Sequence, residues 1–216
     1  MKACVVSILV FLLLPGLTRA QERDEQVLAW DDGGDVSAWT APAPCDLREM
    51  AVRFEAPEGL TWLREILCYV CNDQVQDPYD PQAPTTGPCT LAVWGPEEVG
   101  GVTSPGSTVY WFVFPGGYPE ESWITFILPD AVDLSDSATF PDGVFFVGMK
   151  WLERLNPIPL VDRDPLQSGN TWQKCPDEWE RSWEFSAAIR AVVSDKSGTL
   201  VEPTSRGRVK SELGAR

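Results

Sequence analysis

The chain contains no histidine, and that absence limits its chemistry more than any residue it does contain. Ser-His-Asp and Cys-His nucleophilic catalysis and the HExxH zinc site are all excluded at once. The commonest transition-metal ligand is missing as well. No GxSxG, GxxxxGK[ST] or GxGxxG segment occurs, so a serine elbow and phosphate-cradling loops are excluded too. What remains is carboxylate chemistry, as in glycoside hydrolysis, where two Asp or Glu side chains flank one bond. With 32 acidic residues the sequence nominates no particular pair. A carboxylate-dependent polysaccharide hydrolase is therefore the alternative to a protein that is not an enzyme.

Three further groups of residues could do chemistry. Asp31-Asp32-Gly33-Gly34-Asp35 offers hard oxygens in a turn, so Asp31, Asp32 and Asp35 are the candidate ligands for a structural calcium ion. The segment lacks the spacing and terminal glutamate of an EF-hand, and no other cofactor is indicated. Cys68-Tyr69-Val70-Cys71 is formally a CxxC, but it ends an apolar run instead of opening a helix, the position that would activate a thiol. No second close cysteine pair exists to complete a zinc ribbon. The third group is the set of ten tryptophans. Trp94 and Trp151 lie within strand-like runs and are expected in the core. Trp39, Trp172 and Trp179 lie in expected loops and are the candidate ligand-binding residues, flat faces suited to sugar rings.

The elements that must hold these groups are short. Apolar, aromatic or β-branched runs occur at Val27–Trp30, Met50–Phe54, Leu63–Val70, Thr90–Trp94, Val109–Phe114, Trp123–Leu128, Val144–Trp151 and Ser182–Val193. Nineteen prolines and seventeen glycines separate them, which predicts many short strands joined by turns. Leu60, Leu63, Leu67 and Cys71 also fit one helical face, but the length and flanking turn residues of 60–71 favour a strand. Val109–Phe114 is apolar on both faces. Such a strand either has a covered outer face or presents aromatics to a ligand. Two long polar linkers are expected, at Asn72–Pro88 and Asn156–Asp177.

The fold class expected is all-β: a single antiparallel β-sandwich, jelly-roll-like, spanning 21–194 and followed by a disordered C-terminal tail over 195–216. Residues 1–20 read as a signal peptide. Lys2 precedes the apolar run Val5–Leu14, Pro15-Gly16 breaks it, and Thr18-Arg19-Ala20 places small residues for cleavage after Ala20. The run is too short to span a bilayer, so no membrane insertion is expected after cleavage. The destination is the periplasm, the cell envelope or the exterior.

In those compartments cysteines pair by default. Six are present, and five survive cleavage, an odd number. If the strands ending at Cys71 and beginning at Cys89 are antiparallel neighbours, those two cysteines flank one loop and can bridge. Closing that loop would contribute about 3 kcal/mol on the loop-entropy model. Cys45 and Cys175, each beside a proline, form the second expected pair, which leaves Cys68 as a buried thiol. The formal charge of −15 disfavours nucleic acid and anionic lipid as partners.

Several phrases in order carry a resemblance: Trp30-Asp31-Asp32-Gly33, Met50-Ala51-Val52-Arg53-Phe54, Ser122-Trp123-Ile124-Thr125-Phe126, Val144-Phe145-Phe146-Val147-Gly148, Arg181-Ser182-Trp183 and Ala188-Ile189-Arg190-Ala191. Together they span Val27 to Val193, and the chain resembles an uncharacterised β-sandwich module of exported bacterial proteins. The resemblance implies a non-catalytic part that accompanies secreted peptidases or surface proteins, and it implies no defined site. The cysteines depart from that pattern. The expected role is a non-catalytic exported binding or structural module with a glycan or an envelope protein as partner. A part used in adhesion or assembly is the third possibility.

Overall fold

The computed structural model describes residues 25–31, 36–37, 49–71, 89–114, 122–151, 158–159, 161–162, 169–175, 177–196 and 210–211. Its strands, in chain order, are β1 (Glu25–Leu28), β2 (Val36–Ser37), β3 (Glu49–Glu55), β4 (Trp62–Cys71), β5 (Cys89–Val99), β6 (Val102–Phe114), β7 (Ser122–Asp133), β8 (Val144–Trp151), β9 (Ile158–Pro159), β10 (Val161–Asp162), β11 (Thr171–Cys175), β12 (Glu178–Ser182), β13 (Ser186–Ala187), β14 (Ile189–Ser194) and β15 (Lys210–Ser211). The described residues contain no α-helix, only a 3-10 turn at Pro141–Gly143. None of them forms a helix long and apolar enough to cross a membrane.

The strands form an antiparallel β-sandwich. The first sheet runs β1-β14-β4-β7-β15, with β9 pairing the end of β4, and the second runs β12-β11-β3-β8-β5-β6. A small third sheet, β13-β10-β2, accompanies them. The chain crosses between the two large sheets repeatedly: β3 in the second, β4 in the first, β5 and β6 in the second, β7 in the first, β8 back in the second. This back-and-forth path is the jelly-roll-like character expected from the spacing of short strands.

Alternation explains which side chains fill the space between the sheets. Leu63, Ile66, Cys68 and Val70 of β4, Ile124, Phe126 and Leu128 of β7, and Ile189, Ala191 and Val193 of β14 point inward from the first sheet. Met50, Val52 and Phe54 of β3, Leu91 and Val93 of β5, and Phe145, Val147 and Met149 of β8 meet them from the second. Leu63 and Ile66 both face inward, although three residues apart, because the register shifts at Arg64 against both β7 and β14. The helical alternative for 60–71 is not realised, because Trp62–Cys71 is strand β4 and its Leu67 alternates with the inward Ile66 and Cys68. The β5–β6 hairpin closes over Gly100 and Gly101, whose φ angles of 61° and 80° suit a tight two-residue turn between Val99 and Val102.

Trp30 and Asp31, which follow β1, tie the two large sheets together. Trp30 packs against the core and donates its indole N–H to the Arg53 carbonyl of β3 at 2.6 Å. Asp31 is buried and accepts both Nε and an Nη of Arg190 on β14. The Arg190 guanidinium lies 4.0 Å from the centre of the Trp123 ring. A second cation, Arg64, is buried and pairs with Glu25 at 3.2 Å.

Several sequence expectations are corrected here. Asn156–Asp177 is not one long linker, because it contains β9, β10 and β11. Cys71 and Cys89 do not end neighbouring strands, since β4 and β5 belong to opposite sheets. A bridge between them would therefore link the sheets and could not close a hairpin. Cys175 lies on β11, and Cys45 falls outside the described residues, so their pairing is not decided by the backbone. Cys68 is a buried thiol, as expected. Residues 1–20 lie outside the described residues. The same is true of the tail beyond Lys196, apart from Lys210 and Ser211, which pair with Thr125 and Ile124 of β7.

Candidate functional site

The second sheet has two faces, and the face turned away from the main core carries the candidate site. Directly opposed residues on neighbouring strands share a face. The row Arg181, Trp172, Ala51, Gly148, Ala92, Trp111 therefore runs across all six strands on one side. One row away, Glu49, Lys150, Thr90 and Val113 line up, with Lys174 and Trp179 continuing that side on β11 and β12. One row in the other direction stand Arg53, Phe146, Trp94 and Thr108.

This face is concave. Trp179 on β12 and Trp94 on β5 are four strand positions apart, about 19 Å in a flat sheet at ordinary strand spacing. Their rings meet edge to face with centroids 5.4 Å apart. The Lys150 ammonium on β8 likewise reaches Thr108 of β6, two strands away, at 3.1 Å. The two edge strands β12 and β6 also touch. Only a sheet rolled towards closure brings these groups together.

Small residues in the middle row permit that curl. Ala51, Gly148 and Ala92 have no side chain beyond Cβ, and a Cβ at Gly148 would overlap the Met50 carbonyl of β3. The indoles of Trp94 and Trp172 and the Phe146 ring occupy the concave space over this floor, with Trp179 packed against them. Phe146 and Trp172 meet edge to face at 6.1 Å. The buried Trp172 Nε1 has no hydrogen-bond partner.

A charged cluster lies beside the indoles. Glu49 stands between Lys150 at 3.5 Å and Lys174 at 3.6 Å. Lys150 lies over the Trp94 ring and Lys174 over the Trp179 ring, at 5.5 and 5.9 Å from their centroids. At the β6 edge the face opens to solvent. Trp111 is 64% exposed, and Val109 and Val113 beside it are exposed as well.

Neither a family model, nor a curated protein, nor a solved structure matches this chain. The site is therefore read from its own residues.

Of the tryptophans singled out from sequence, Trp172 and Trp179 do share this face. They do so from paired strands and not from loops, and Trp172 is only 4% exposed, which corrects its reading as an exposed residue. Trp39 lies outside the described residues. Asp31, one of the three candidate calcium ligands, is paired with Arg190. Asp32 and Asp35 lie outside the described residues, and among the described residues no three His, Cys, Asp or Glu side chains are grouped to hold a metal. Sequence reasoning missed Glu49, Lys150 and Lys174, single charges at strand ends that carry no local signal. Trp111 did carry one, because it belongs to the strand that read as apolar on both faces.

Proposed function

We propose that this chain is a non-catalytic exported module that binds polysaccharide on the concave face of its second sheet and the adjoining β6 edge. The observation that carries this reading is Trp111. It is an indole 64% exposed on the paired strand β6, flanked by exposed Val109 and Val113 and directly opposite Ala92, a member of the cluster that holds Trp94 and Trp172. An exposed apolar strip of this kind marks an interaction surface. The flat C–H face of a pyranose suits an indole, and the lysines and glutamate nearby supply hydroxyl-binding groups.

The carboxylates favour binding over hydrolysis. On β3, Glu49 and Glu55 share the concave face six residues apart, a separation of about 20 Å by strand rise. A glycosidase pair stands about 5–10 Å apart. The leader-like segment 1–20 supports export.

Affinity electrophoresis through gels containing a panel of polysaccharides tests the proposal. At least one polymer should retard the protein, and Trp111→Ala should abolish the retardation. The same substitution should change stability by no more than about 0.5 kcal/mol, because it removes an exposed side chain. Absence of retardation by every polymer, or retardation that Trp111→Ala leaves unchanged, would overturn the reading.

A further inference from the structure

The concave face differs in charge from the rest of the protein. On β3, β8, β11 and β12 this face carries Lys150, Lys174, Arg53 and Arg181 against Glu49 and Glu55. The whole chain carries −15. A cationic face on so acidic a chain is a local feature, because the long-range field of the molecule has the opposite sign.

The hydrogen-bonding inventory points the same way. Lys150 and Lys174 share one carboxylate, at 3.5 and 3.6 Å. A close charge-assisted hydrogen bond would measure about 2.7–2.9 Å. The indole N–H of Trp172, on the same face and two residues from Lys174, is buried with no acceptor. Glu49 Oε2 makes no hydrogen bond either, its nearest cation being Lys150. Lys150 also donates to Thr108 at 3.1 Å, but the two ammonium groups share a single carboxylate, so positive charge exceeds negative at this end of the face. A ligand that brings acceptors and negative charge would complete the set.

We infer that the ligand of this face is an acidic polysaccharide, whose carboxylate or sulfate groups are received by Lys150 and Lys174 while a sugar ring lies on Trp111. This rests on the proposal that the face binds polysaccharide. By register, Trp111 and Lys150 are two strands and two residues apart. Their Cα atoms are then about 12 Å apart before the curl is counted. That span lets one polymer chain touch both. Glu49 acts as the intramolecular competitor, holding the lysines in place until a ligand anion replaces it.

The test compares dextran with dextran sulfate, two polymers of one backbone, and adds a polyuronate such as alginate as the carboxylate arm. Affinity electrophoresis at several salt concentrations gives apparent dissociation constants for the purified chain and for Lys150→Gln, Lys174→Gln and Glu49→Gln. Binding to dextran sulfate or to alginate should exceed binding to dextran and weaken as salt rises. Which of the two binds identifies the anionic group. Each lysine variant should weaken acidic-polymer binding about fivefold or more, the effect of one partly exposed ion pair. Glu49→Gln should strengthen it, and a thermal melt of each variant shows whether the fold persists. Because the chain as a whole repels polyanions, retention by them reports this face. Equal or tighter binding to dextran, or lysine variants that bind acidic polymer as the parent does, would overturn the inference. Trp111-dependent binding of a neutral polymer would then leave the polysaccharide proposal standing. Binding to no polymer of either class would overturn both.

Discussion

The two faces of the second sheet are built from the same six strands, yet their side chains do different work. Towards the first sheet, Met50, Val52, Phe54, Leu91, Val93, Phe145, Val147 and Met149 are buried in the core between the sheets. Towards the concave side, the alternate positions are small at the centre, aromatic around it and charged at one end. The first face is closed by another sheet. The second is closed only by the sheet's own curvature, so part of it stays at the surface. A strand apolar on both faces, such as β6, is thus explained twice. Phe112 and Phe114 pack inward, while Trp111 faces out. Backbone alternation sets which residues share a face, and what lies opposite decides whether that face becomes core or contact surface.

Substitutions on the two faces should separate these roles, beginning with the most damaging. Phe145→Ala removes a fully buried ring packed 5.7 Å from Phe54 in the main core. It should cost about 3–5 kcal/mol in urea denaturation, the range for a buried aromatic. A loss below 1 kcal/mol would mean that the inter-sheet face is not the tightly packed one.

Gly148→Ala tests the concave floor. The added methyl has nowhere to go without displacing the Met50 carbonyl of β3, so β3 and β8 must part locally. Overpacking of this kind costs about 1–3 kcal/mol. Polysaccharide binding should weaken as well, because the curl that gathers Lys150, Glu49 and Trp94 depends on that close approach. Unchanged stability and binding would show that the curl does not need glycine there.

The smallest effect contrasts two adjacent residues on opposite faces of β6. Burial raises the Tyr110 phenol above its ordinary value, reinforced by the negative charge of Asp130 and opposed by a backbone hydrogen bond there. With the folded pKa above the unfolded one, the neutral phenol is no handicap below about pH 10, and stability declines only as pH rises beyond that. Ultraviolet titration of the parent against Tyr110→Phe should therefore assign to Tyr110 an ionisation later than that of an exposed tyrosine. Trp111, one residue on, should be quenched readily by acrylamide. An ordinary Tyr110 titration would mean that the inward face of this edge strand is open to water.

Much of this fold was legible in the residues, and the parts that were not share one cause. The strands could be read because alternation and turn residues act within a few positions of each other. The helical alternative at 60–71 gave way to pairing on both sides, since β4 is hydrogen-bonded between β14 and β7. Thr171–Cys175 and Glu178–Ser182 escaped notice because their sequences, TWQKC and EWERS, are mostly polar, and they are strands through pairing at the sheet edge. Asp31 stands in a turn whose carboxylates suit a cation, and the side-chain partner the fold gives it has no local signal. Its partner, Arg190, lies 159 residues away in sequence.

The sequence by itself determined that the chain is all-β, that histidine chemistry is absent and that indoles are in surplus. These follow from residue type and short-range period. Tertiary structure alone decided which strands share a sheet, and so placed Cys71 and Cys89 on opposite sides of the sandwich. It also decided that Trp179 meets Trp94 and that Lys150 reaches Thr108 two strands away. Those contacts depend on the curvature of a six-stranded sheet, which many small twists and the close approach at Gly148 set together. No local stretch of sequence records that sum.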